Sequence, residues 1–286
     1  MLERELETAT RLAREAGKIL LEIYASDFDV DFKGARDPVT EADRRANDFL
    51  VAELRRAFPD DGVVAEESPE HGDALLRERC WFVDPLDGTK EFVARNGEFS
   101  VMLGLAVEGR SRLGVVYQAA KDKLYRGVVG GQAVLEQDGQ SQLLCVSDIA
   151  TPSKLSLVVS RSHRSRSIDA IRERLGIDSE RPSGSVGLKV GHLAEQNADL
   201  YVHLSDRSCK WDACGPEAIL LAAGGRFTDC FGRAMRYDEA QLQNLGGILA
   251  CNAAAFESVL ETVGEVAREM NFGQPPAGGD LAPGTA

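Results

Sequence analysis

Long apolar runs, runs of basic residues and cysteines at metal-binding spacing are all missing from this sequence. No segment approaches the roughly 20 apolar residues that cross a bilayer, so we expect no membrane partner. The N-terminal stretch "MLERELETATRLAREAGKILLEIY" is charged throughout and lacks the apolar core of a signal peptide, which predicts a cytoplasmic protein. The formal net charge of −13, without a basic run, argues against a nucleic acid polymer as partner.

The six cysteines are scattered, and none stands in a Cys-x-x-Cys pair. A zinc site is therefore not expected, and a reducing cytosol disfavours disulfides, so we expect single buried thiols. A small anionic substrate is still compatible with the acidic composition, because bound metal ions reverse the field locally.

The composition is that of a globular protein. With 43% hydrophobic residues, the 286-residue chain suffices for one large domain or two smaller ones that share a core. Apolar periodicity predicts helices over 1–24 and about 40–58, then an antiparallel meander over about 99–135, then alternating strands and helices. From this order we predict layered sheets and helices in two domains, followed by a disordered Pro- and Gly-rich tail: 1–150, 151–270 and 271–286.

The stretch "VDPLDGTKEF" carries two aspartates three positions apart. We expect Asp84 to end an apolar strand, because Pro85 stops it, and Asp87 to turn back towards the same point. The carbonyl of Leu86 lies between them. Two carboxylates and a carbonyl form an oxygen-only set of the kind that binds Mg²⁺.

The residues that follow are typical of a phosphate contact. Gly88 allows a close backbone approach, and Thr89 is expected to cap a short helix that runs from Lys90, whose free N–H groups attract phosphate. The alternative is a plain turn at Asp87–Gly88 with Asp84 as a cap.

Further acids stand at the ends of other predicted elements. Glu66 and Glu67 end a short strand, and Asp212 lies in "KWDACGPEAIL". Taken singly, Asp212 is explained as a helix N-cap, because Pro216 favours a first helical turn. Taken together with the two aspartates above, these acids favour a phosphoesterase that uses several metal ions.

These stretches resemble the lithium-sensitive, Mg²⁺-dependent phosphomonoesterases of the inositol monophosphatase superfamily. "PVTEAD" at 38–43, "EES" at 66–68, "WFVDPLDGT" at 81–89 and "WDACGPEAI" at 211–219 stand in that family's order and spacing. The resemblance covers roughly residues 5–268. It implies an α+β fold, the layered αβαβα sandwich of the inositol monophosphatase and fructose-1,6-bisphosphatase type.

Within the superfamily, the chain looks most like the 3'(2'),5'-bisphosphate nucleotidases. "DPLDGTKEF", "VVSRSH" and "CKWDACGPEAILLAAGG" are similar to that branch, although inositol polyphosphate 1-phosphatases share part of the last motif. The resemblance implies hydrolysis of adenosine 3',5'-bisphosphate to AMP and phosphate by a metal-activated water. The alternatives are an inositol phosphate or polyphosphate phosphatase and a non-catalytic binding protein with this fold.

The resemblance also implies two or three Mg²⁺ ions in each site. The implied ligands are Glu66, Asp84 and the Leu86 carbonyl for a first ion, Asp84, Asp87 and Asp212 for a second, and Glu67 through water for a third. Thr89 with Asp43 would orient and deprotonate the attacking water.

On the substrate side, the resemblance implies contacts from Gly88, Thr89 and Asp212 to a small anionic phosphorylated substrate. His163 would contact the nucleotide, with an exposed loop residue as the alternative, and Lys189 would contact the non-reacting phosphate.

Two positions depart from the nucleotidase pattern. Val186 stands where a serine is typical, with Ser185 one position away, and His203 stands where an arginine is expected, with Arg207 as a substitute. The oligomeric state is expected to be a monomer or homodimer.

Overall fold

A computed structural model describes residues 2–34, 37–68, 71–162 and 164–272, with only the backbone at 32–34, 37 and 38. His163 and residues 273–286, most of the expected tail, therefore lie outside the described residues.

The chain opens with two helices that pack on each other, α1 (Glu3–Tyr24) and α2 (Glu41–Ala57). The buried side of α1 has helical spacing and consists of Ala9, Leu12, Ala13, Ala16, Gly17, Leu20 and Ile23. A capping box starts α2: the Thr40 hydroxyl accepts from the Ala42 N–H at 3.1 Å, and the Asp43 carboxylate accepts from the Thr40 N–H at 2.7 Å. This cap fixes Asp43 in the first turn of α2.

A hairpin between the two helices precedes the first large sheet, which has seven strands in the order β3-β4-β5-β6-β7-β8-β9. The β3–β4 pair is parallel, and the remaining pairs form the predicted antiparallel meander, which extends past residue 135 to Leu144. The elements of this half are β1 (Val30–Gly34), β2 (Asp37–Thr40), β3 (Gly62–Ala65), β4 (Arg79–Asp87), α3 (Thr89–Val93), β5 (Ser100–Val107), β6 (Arg110–Gln118), β7 (Lys123–Val128), β8 (Ala133–Gln137) and β9 (Gln140–Leu144).

The second sheet has five strands in the order β11-β10-β12-β14-β13. β10 runs parallel to β11 and β12, and β14 runs antiparallel to β12 and β13. The elements of this half are β10 (Ser156–Ser160), α4 (Arg166–Leu175), β11 (Ser179–Ser183), α5 (Val186–Ala194), β12 (Leu200–His203), α6 (Lys210–Ala222), β13 (Arg226–Thr228), β14 (Ile248–Cys251) and α7 (Phe256–Glu269).

The two sheets and three helix pairs stack as αβαβα, which confirms the predicted fold class. α1 and α2 cover one face of the first sheet, α5 and α6 lie between the sheets, and α4 and α7 cover the outer face of the second. The first sheet ends at Leu144 and the second begins at Ser156, on either side of the predicted boundary. The division into two domains stays a prediction.

Helix α6 lies unusually close to the first sheet, because glycines face each other at the contact. A Cβ at Gly104 would stand 2.4 Å from the backbone nitrogen of Gly215, and a Cβ at Gly114 would stand 1.9 Å from its carbonyl oxygen. Side chains at these positions would push α6 away. The close packing therefore brings the N-terminal turn of α6 near the end of β4.

The expected end of β4 at Asp84 is wrong. The strand continues to Asp87, with Asp84 opposite Met102 and Asp87 opposite Ser100. Three steps along β4 match two along β5, so one extra residue is accommodated as a bulge. Pro85 lies in this bulge, where its missing N–H breaks no regular ladder bond.

Three smaller findings complete the fold. The strands β1, β2, β11 and β13 were not predicted. All six cysteines are free, and four are buried as expected, whereas Cys145 is exposed and Cys209 is half-buried. Among the helices of the described ranges, none is long and apolar enough to cross a membrane.

Candidate active site

Three aspartates meet where the end of β4 faces the first turn of α6. Oxygens of Asp84, Asp87 and Asp212 all lie within 4.8 Å of one another. Asp84 and Asp87 are buried and Asp212 is half-buried. The bulge in β4 brings the first two together, and the close packing of α6 adds the third. Such a set of carboxylate oxygens can hold a hard divalent cation.

Short backbone contacts orient two of these carboxylates. The Leu86 N–H donates to Asp84 Oδ1 at 3.0 Å, and the Cys209 N–H donates to Asp212 Oδ2 at 2.5 Å. Asp212 is therefore the third residue of α6, and the N-cap is Cys209. The prediction of Asp212 as a possible N-cap is wrong, and Pro216 lies inside the helix.

Burial and mutual repulsion disfavour charge on this cluster. Burial, then Glu66 and the other two aspartates, raise the pKa of Asp84 well above its usual range. Burial, then Asp87 and Glu66, do the same to the pKa of Asp212. A bound cation would remove this penalty, and the all-oxygen donor set fits Mg²⁺.

Asp87 has a different environment, because the start of α5 faces it. Asp87 Oδ2 accepts from the Ser185 hydroxyl at 2.5 Å and from the Gly187 N–H at 3.1 Å. Burial raises the pKa of Asp87, while the Lys189 ammonium and these hydrogen bonds oppose the rise. The α5 N-terminus thus holds one oxygen of Asp87 and leaves the other for a ligand.

Ser185 and Lys189 both lie behind Asp87. Ser185 is buried, caps α5 by accepting from the Leu188 N–H at 3.1 Å, and shares a 2.8 Å hydrogen bond with Ser100. The Lys189 ammonium is also buried, donates to the Gly184 carbonyl and lies 5.3 Å from the centre of the Tyr201 ring. The contacts of both residues with substrate, suggested by the resemblance, stay predictions.

Thr89 and Asp43 form the second functional pair. The Thr89 hydroxyl donates to Asp43 Oδ1 at 3.1 Å and lies 3.3 Å from the Leu86 carbonyl oxygen. Asp43 Oδ2 accepts from the Thr40 hydroxyl at 2.6 Å. Burial raises the pKa of Asp43 to about 6, and the charge of Glu67 adds to the rise. The hydrogen bonds from Thr40 and Thr89 lower this pKa but do not cancel the effect of burial.

The short helix α3 begins one residue earlier than expected, at Thr89, and its N-cap is Gly88 with φ of 94°. This left-handed conformation favours glycine. The Thr89 hydroxyl is therefore free of a capping role and can bond to Asp43. The expected phosphate contact at this turn stays a prediction.

Glu66 and Glu67 act on different parts of the site. The Glu66 N–H extends the β3–β4 pairing by donating to the Val83 carbonyl at 3.1 Å. The Glu66 carboxylate raises the pKa of Asp84 and Asp212, whereas Glu67 raises that of Asp43. One acid thus faces the aspartate cluster and the other faces the Thr89–Asp43 pair.

A cavity of about 960 Å³ opens beside Asp212. His203 and Arg207, which the sequence suggested as substrate residues, line it. Val186, at the start of α5, lines it too. The other lining residues come from β10, β12 and the segments that follow them, the 245 loop and the end of α7, and include Ser162, Arg164, Tyr201, Leu245, Met270 and Phe272. The sequence did not point to the last three, because they come from two separate segments.

Glu91 is a further residue to which the sequence assigned no role. It is an acidic residue that is only 5% exposed, and its carboxylate oxygen accepts from the Ser162 hydroxyl. The contact ties the helix after the Asp84 motif to the loop that lines the cavity. The acidic residue in "TKEF" was visible in the sequence, but only the fold shows that Ser162 is its partner.

Comparison with known proteins places these features in a family. The sequence pattern of the inositol monophosphatase family matches residues 1–268. A 3'(2'),5'-bisphosphate nucleotidase, CysQ, of Escherichia coli K12 is 35% identical over 237 residues, which are 81% of this chain and 93% of the relative. A 3'(2'),5'-bisphosphate nucleotidase 1 of Dictyostelium discoideum is 28% identical, over 84% of this chain and 89% of its own.

Solved structures are similar to this chain over most of its length. CysQ from Bacteroides thetaiotaomicron superposes with a TM-score of 0.74 at 29% identity, covering 89% of this chain and 98% of its own. An inositol monophosphatase from Anabaena superposes with a TM-score of 0.76 at 27% identity, covering 96% and 98%.

Proposed function

This chain belongs to the inositol monophosphatase family, and we propose that it is a Mg²⁺-dependent nucleotidase that hydrolyses adenosine 3',5'-bisphosphate to AMP and phosphate. The observation that carries the proposal is the meeting of Asp84, Asp87 and Asp212, the last of which lines a cavity of about 960 Å³. The similarity to bisphosphate nucleotidases supports the choice of substrate.

The proposed cation ligands are the acidic side chains and one carbonyl described above: Glu66, Asp84, Leu86, Asp87, Asp212 and, for a third ion, Glu67. Bound cations would neutralise phosphate charge and lower the pKa of water. The N-terminal turns of α5 and α6 keep the carboxylates of Asp87 and Asp212, respectively, in fixed orientations.

Thr89 and Asp43 are the proposed proton acceptors. The Thr89 hydroxyl donates its proton to Asp43, so its oxygen lone pairs are available to a water molecule. With a pKa of about 6, Asp43 is mostly ionised at neutral pH and can take up a proton through Thr89. Attack by water then releases inorganic phosphate directly.

The cavity suits a substrate larger than a phosphorylated ring alone. Its volume of about 960 Å³ is at the upper end of the roughly 300–1,000 Å³ of small-molecule sites. His203 and Arg207 line it, and we assign them to the second phosphate, together with His163 and Lys189. A cytoplasmic location and a monomer or homodimer belong to the same proposal.

An inositol phosphate phosphatase is the second candidate, because inositol monophosphatases share the fold over 96% and 93% of the chain. The test is kcat/KM on adenosine 3',5'-bisphosphate, inositol 1-phosphate, inositol 1,4-bisphosphate and fructose 1,6-bisphosphate with Mg²⁺, with and without Li⁺. We expect the nucleotide to be preferred and Li⁺ to inhibit. A tenfold preference for an inositol phosphate would contradict the nucleotidase assignment, and no phosphate release from any substrate would favour a binding protein.

A further inference from the structure

The outer wall of the cavity includes a segment that lies beyond the family match. Residues 270–272 line the cavity, whereas the family pattern ends at 268. Leu245 and Met270 are 38% and 45% exposed, and both lie on the cavity wall. Two large apolar side chains therefore lie on the wall of this cavity, where an apolar group of a ligand can contact them.

A well-defined turn fixes the position of this segment. Helix α7 ends at Glu269, and Asn271 follows with φ of 51°. The Phe272 N–H donates to the Ala267 carbonyl at 2.9 Å, and the Asn271 N–H donates to the Arg268 carbonyl at 3.1 Å. This pair of bonds is the Schellman motif, in which Asn is one of the residues that tolerate the left-handed position.

The ring of Phe272 lies beside the end of β12. A Cβ at Gly247 would stand 3.4 Å from Phe272 Cε1 and 2.4 Å from the His203 carbonyl oxygen. Phe272 is half-buried and lines the cavity together with His203 and Arg207. An aromatic side chain is therefore held in the wall of the cavity that Arg207 and Asp212 also line.

We propose that Phe272 is a specificity-determining residue that contacts the nucleobase of the substrate, held in place by the turn at Asn271. The inference rests on the proposed function and adds to it the residue that distinguishes a nucleotide from a phosphorylated polyol. A flat ring of a base can pack on the Phe272 ring, and such contacts are worth about 1–3 kcal/mol per base, or about five- to 150-fold in affinity. A polyol phosphate has no group that could replace this contact.

The experiment compares Phe272→Ala, Phe272→Tyr and wild type in the full chain with Mg²⁺. The readout is the ratio of kcat/KM on adenosine 3',5'-bisphosphate to kcat/KM on β-glycerophosphate. We expect Phe272→Ala to lower this ratio about tenfold through KM for the nucleotide, and Phe272→Tyr to restore most of it. Leu143→Ala, which removes a 61% exposed apolar side chain from β9, is the control and should leave the ratio unchanged.

A second pair of variants tests the turn. Asn271→Gly keeps the left-handed conformation and should keep the ratio, whereas Asn271→Val disfavours it and should lower the ratio as Phe272→Ala does. Equal losses on both substrates in Phe272→Ala, or no change in the ratio, would overturn the inference.

Binding of AMP separates this inference from the proposed function. Calorimetric titration in EDTA should show that AMP binds to wild type. The affinity of Phe272→Ala for AMP should be about tenfold lower than that of wild type. That result supports the role of Phe272 even if wild type does not hydrolyse the nucleotide, in which case only the proposed activity fails. Equal affinities, or no AMP binding by wild type, would overturn the inference itself.

Discussion

The acidic cluster and the cavity beside it are assembled in different ways. In the cluster, local contacts orient two of the three aspartates: the Leu86 N–H holds Asp84, and the Cys209 N–H holds Asp212. The third, Asp87, is held by the start of α5. The cavity wall combines two connections of the second sheet, the 245 loop and the turn after α7. The chemistry of this fold is therefore encoded in short contiguous motifs, and its specificity in side chains that only the tertiary structure brings together.

A second contrast lies within the cluster. Asp84 is surrounded by other carboxylates, whereas Asp87 is opposed by Lys189 and bonded to Ser185 and Gly187. Burial raises the pKa of both aspartates, but the charge of Asp87 is partly compensated and that of Asp84 is not. Substitution at the two positions tests this contrast, and substitution on the cavity wall tests the first one.

Asp84→Asn and Asp87→Asn should each lower kcat/KM at least about a hundredfold, because each removes a proposed cation ligand. In EDTA their thermal stabilities should diverge. Asp84→Asn should raise Tm by relieving repulsion, whereas Asp87→Asn should lower Tm and reduce the free energy of unfolding by about 1–3 kcal/mol, because the buried Lys189 loses its opposing charge. Calorimetric melting checks this, and a shift in the same direction for both variants would contradict the contrast.

Ser185→Ala should weaken divalent cation binding by about 10- to 100-fold, because Asp87 loses the hydroxyl that orients it. Isothermal titration with Mg²⁺ or Mn²⁺ measures the effect. Ser141→Ala, on the exposed face of β9, is the matched control. Unchanged cation affinity in Ser185→Ala would show that Ser185 does not act through Asp87.

On the cavity side, Arg207→Ala should raise KM for adenosine 3',5'-bisphosphate about tenfold and leave β-glycerophosphate nearly unaffected, because a charge-assisted hydrogen bond is worth about 1.5–3 kcal/mol. The kinetics of the two substrates, measured together, check it. Equal losses would place Arg207 in the structure of the cavity rather than in recognition of a second phosphate.

The metal-free protein should become more stable as pH falls from 7.5 to about 5.5. The folded-state pKa of Asp43 is about 6, above its ordinary value of 3.8, and those of Asp84 and Asp212 are also raised. Folding therefore takes up protons, and this stabilisation is lost as pH rises through the folded pKa. Burial lowers the pKa of His71 and His192, which opposes this gain in wild type and in Asp43→Asn alike. Melting in EDTA across this range should therefore show a smaller gain in Asp43→Asn than in wild type, and identical profiles for the two proteins would contradict the raised pKa of Asp43.

Local sequence signals predicted much of the site and the layered fold. "DPLDGT" and "KWDACGP" identified the acids that meet, since turn and cap geometry depends on neighbours in the chain. The path of the chain at Pro85 was misjudged, because a bulge can accommodate proline inside a strand. Gly88 was not expected as the cap of α3, although its φ of 94° suits glycine.

Contacts between distant segments could not be predicted in the same way. The Ser185 contact with Asp87 spans 98 residues, and the Ser162 contact with Glu91 spans 71. Nothing in the local pattern of either partner specifies the other. Phe272 follows the last periodic residue of α7, and its place on the cavity wall depends on how α7 packs against β12 and β14.

The most direct test of the account is phosphate release from adenosine 3',5'-bisphosphate as a function of Mg²⁺, after complete removal of metal by EDTA. We predict no turnover of the metal-free wild type, recovery that saturates with added Mg²⁺, and no recovery for Asp212→Asn at the same concentrations. Full activity of the wild type in EDTA, or normal recovery of Asp212→Asn, would contradict a cation site built from Asp84, Asp87 and Asp212.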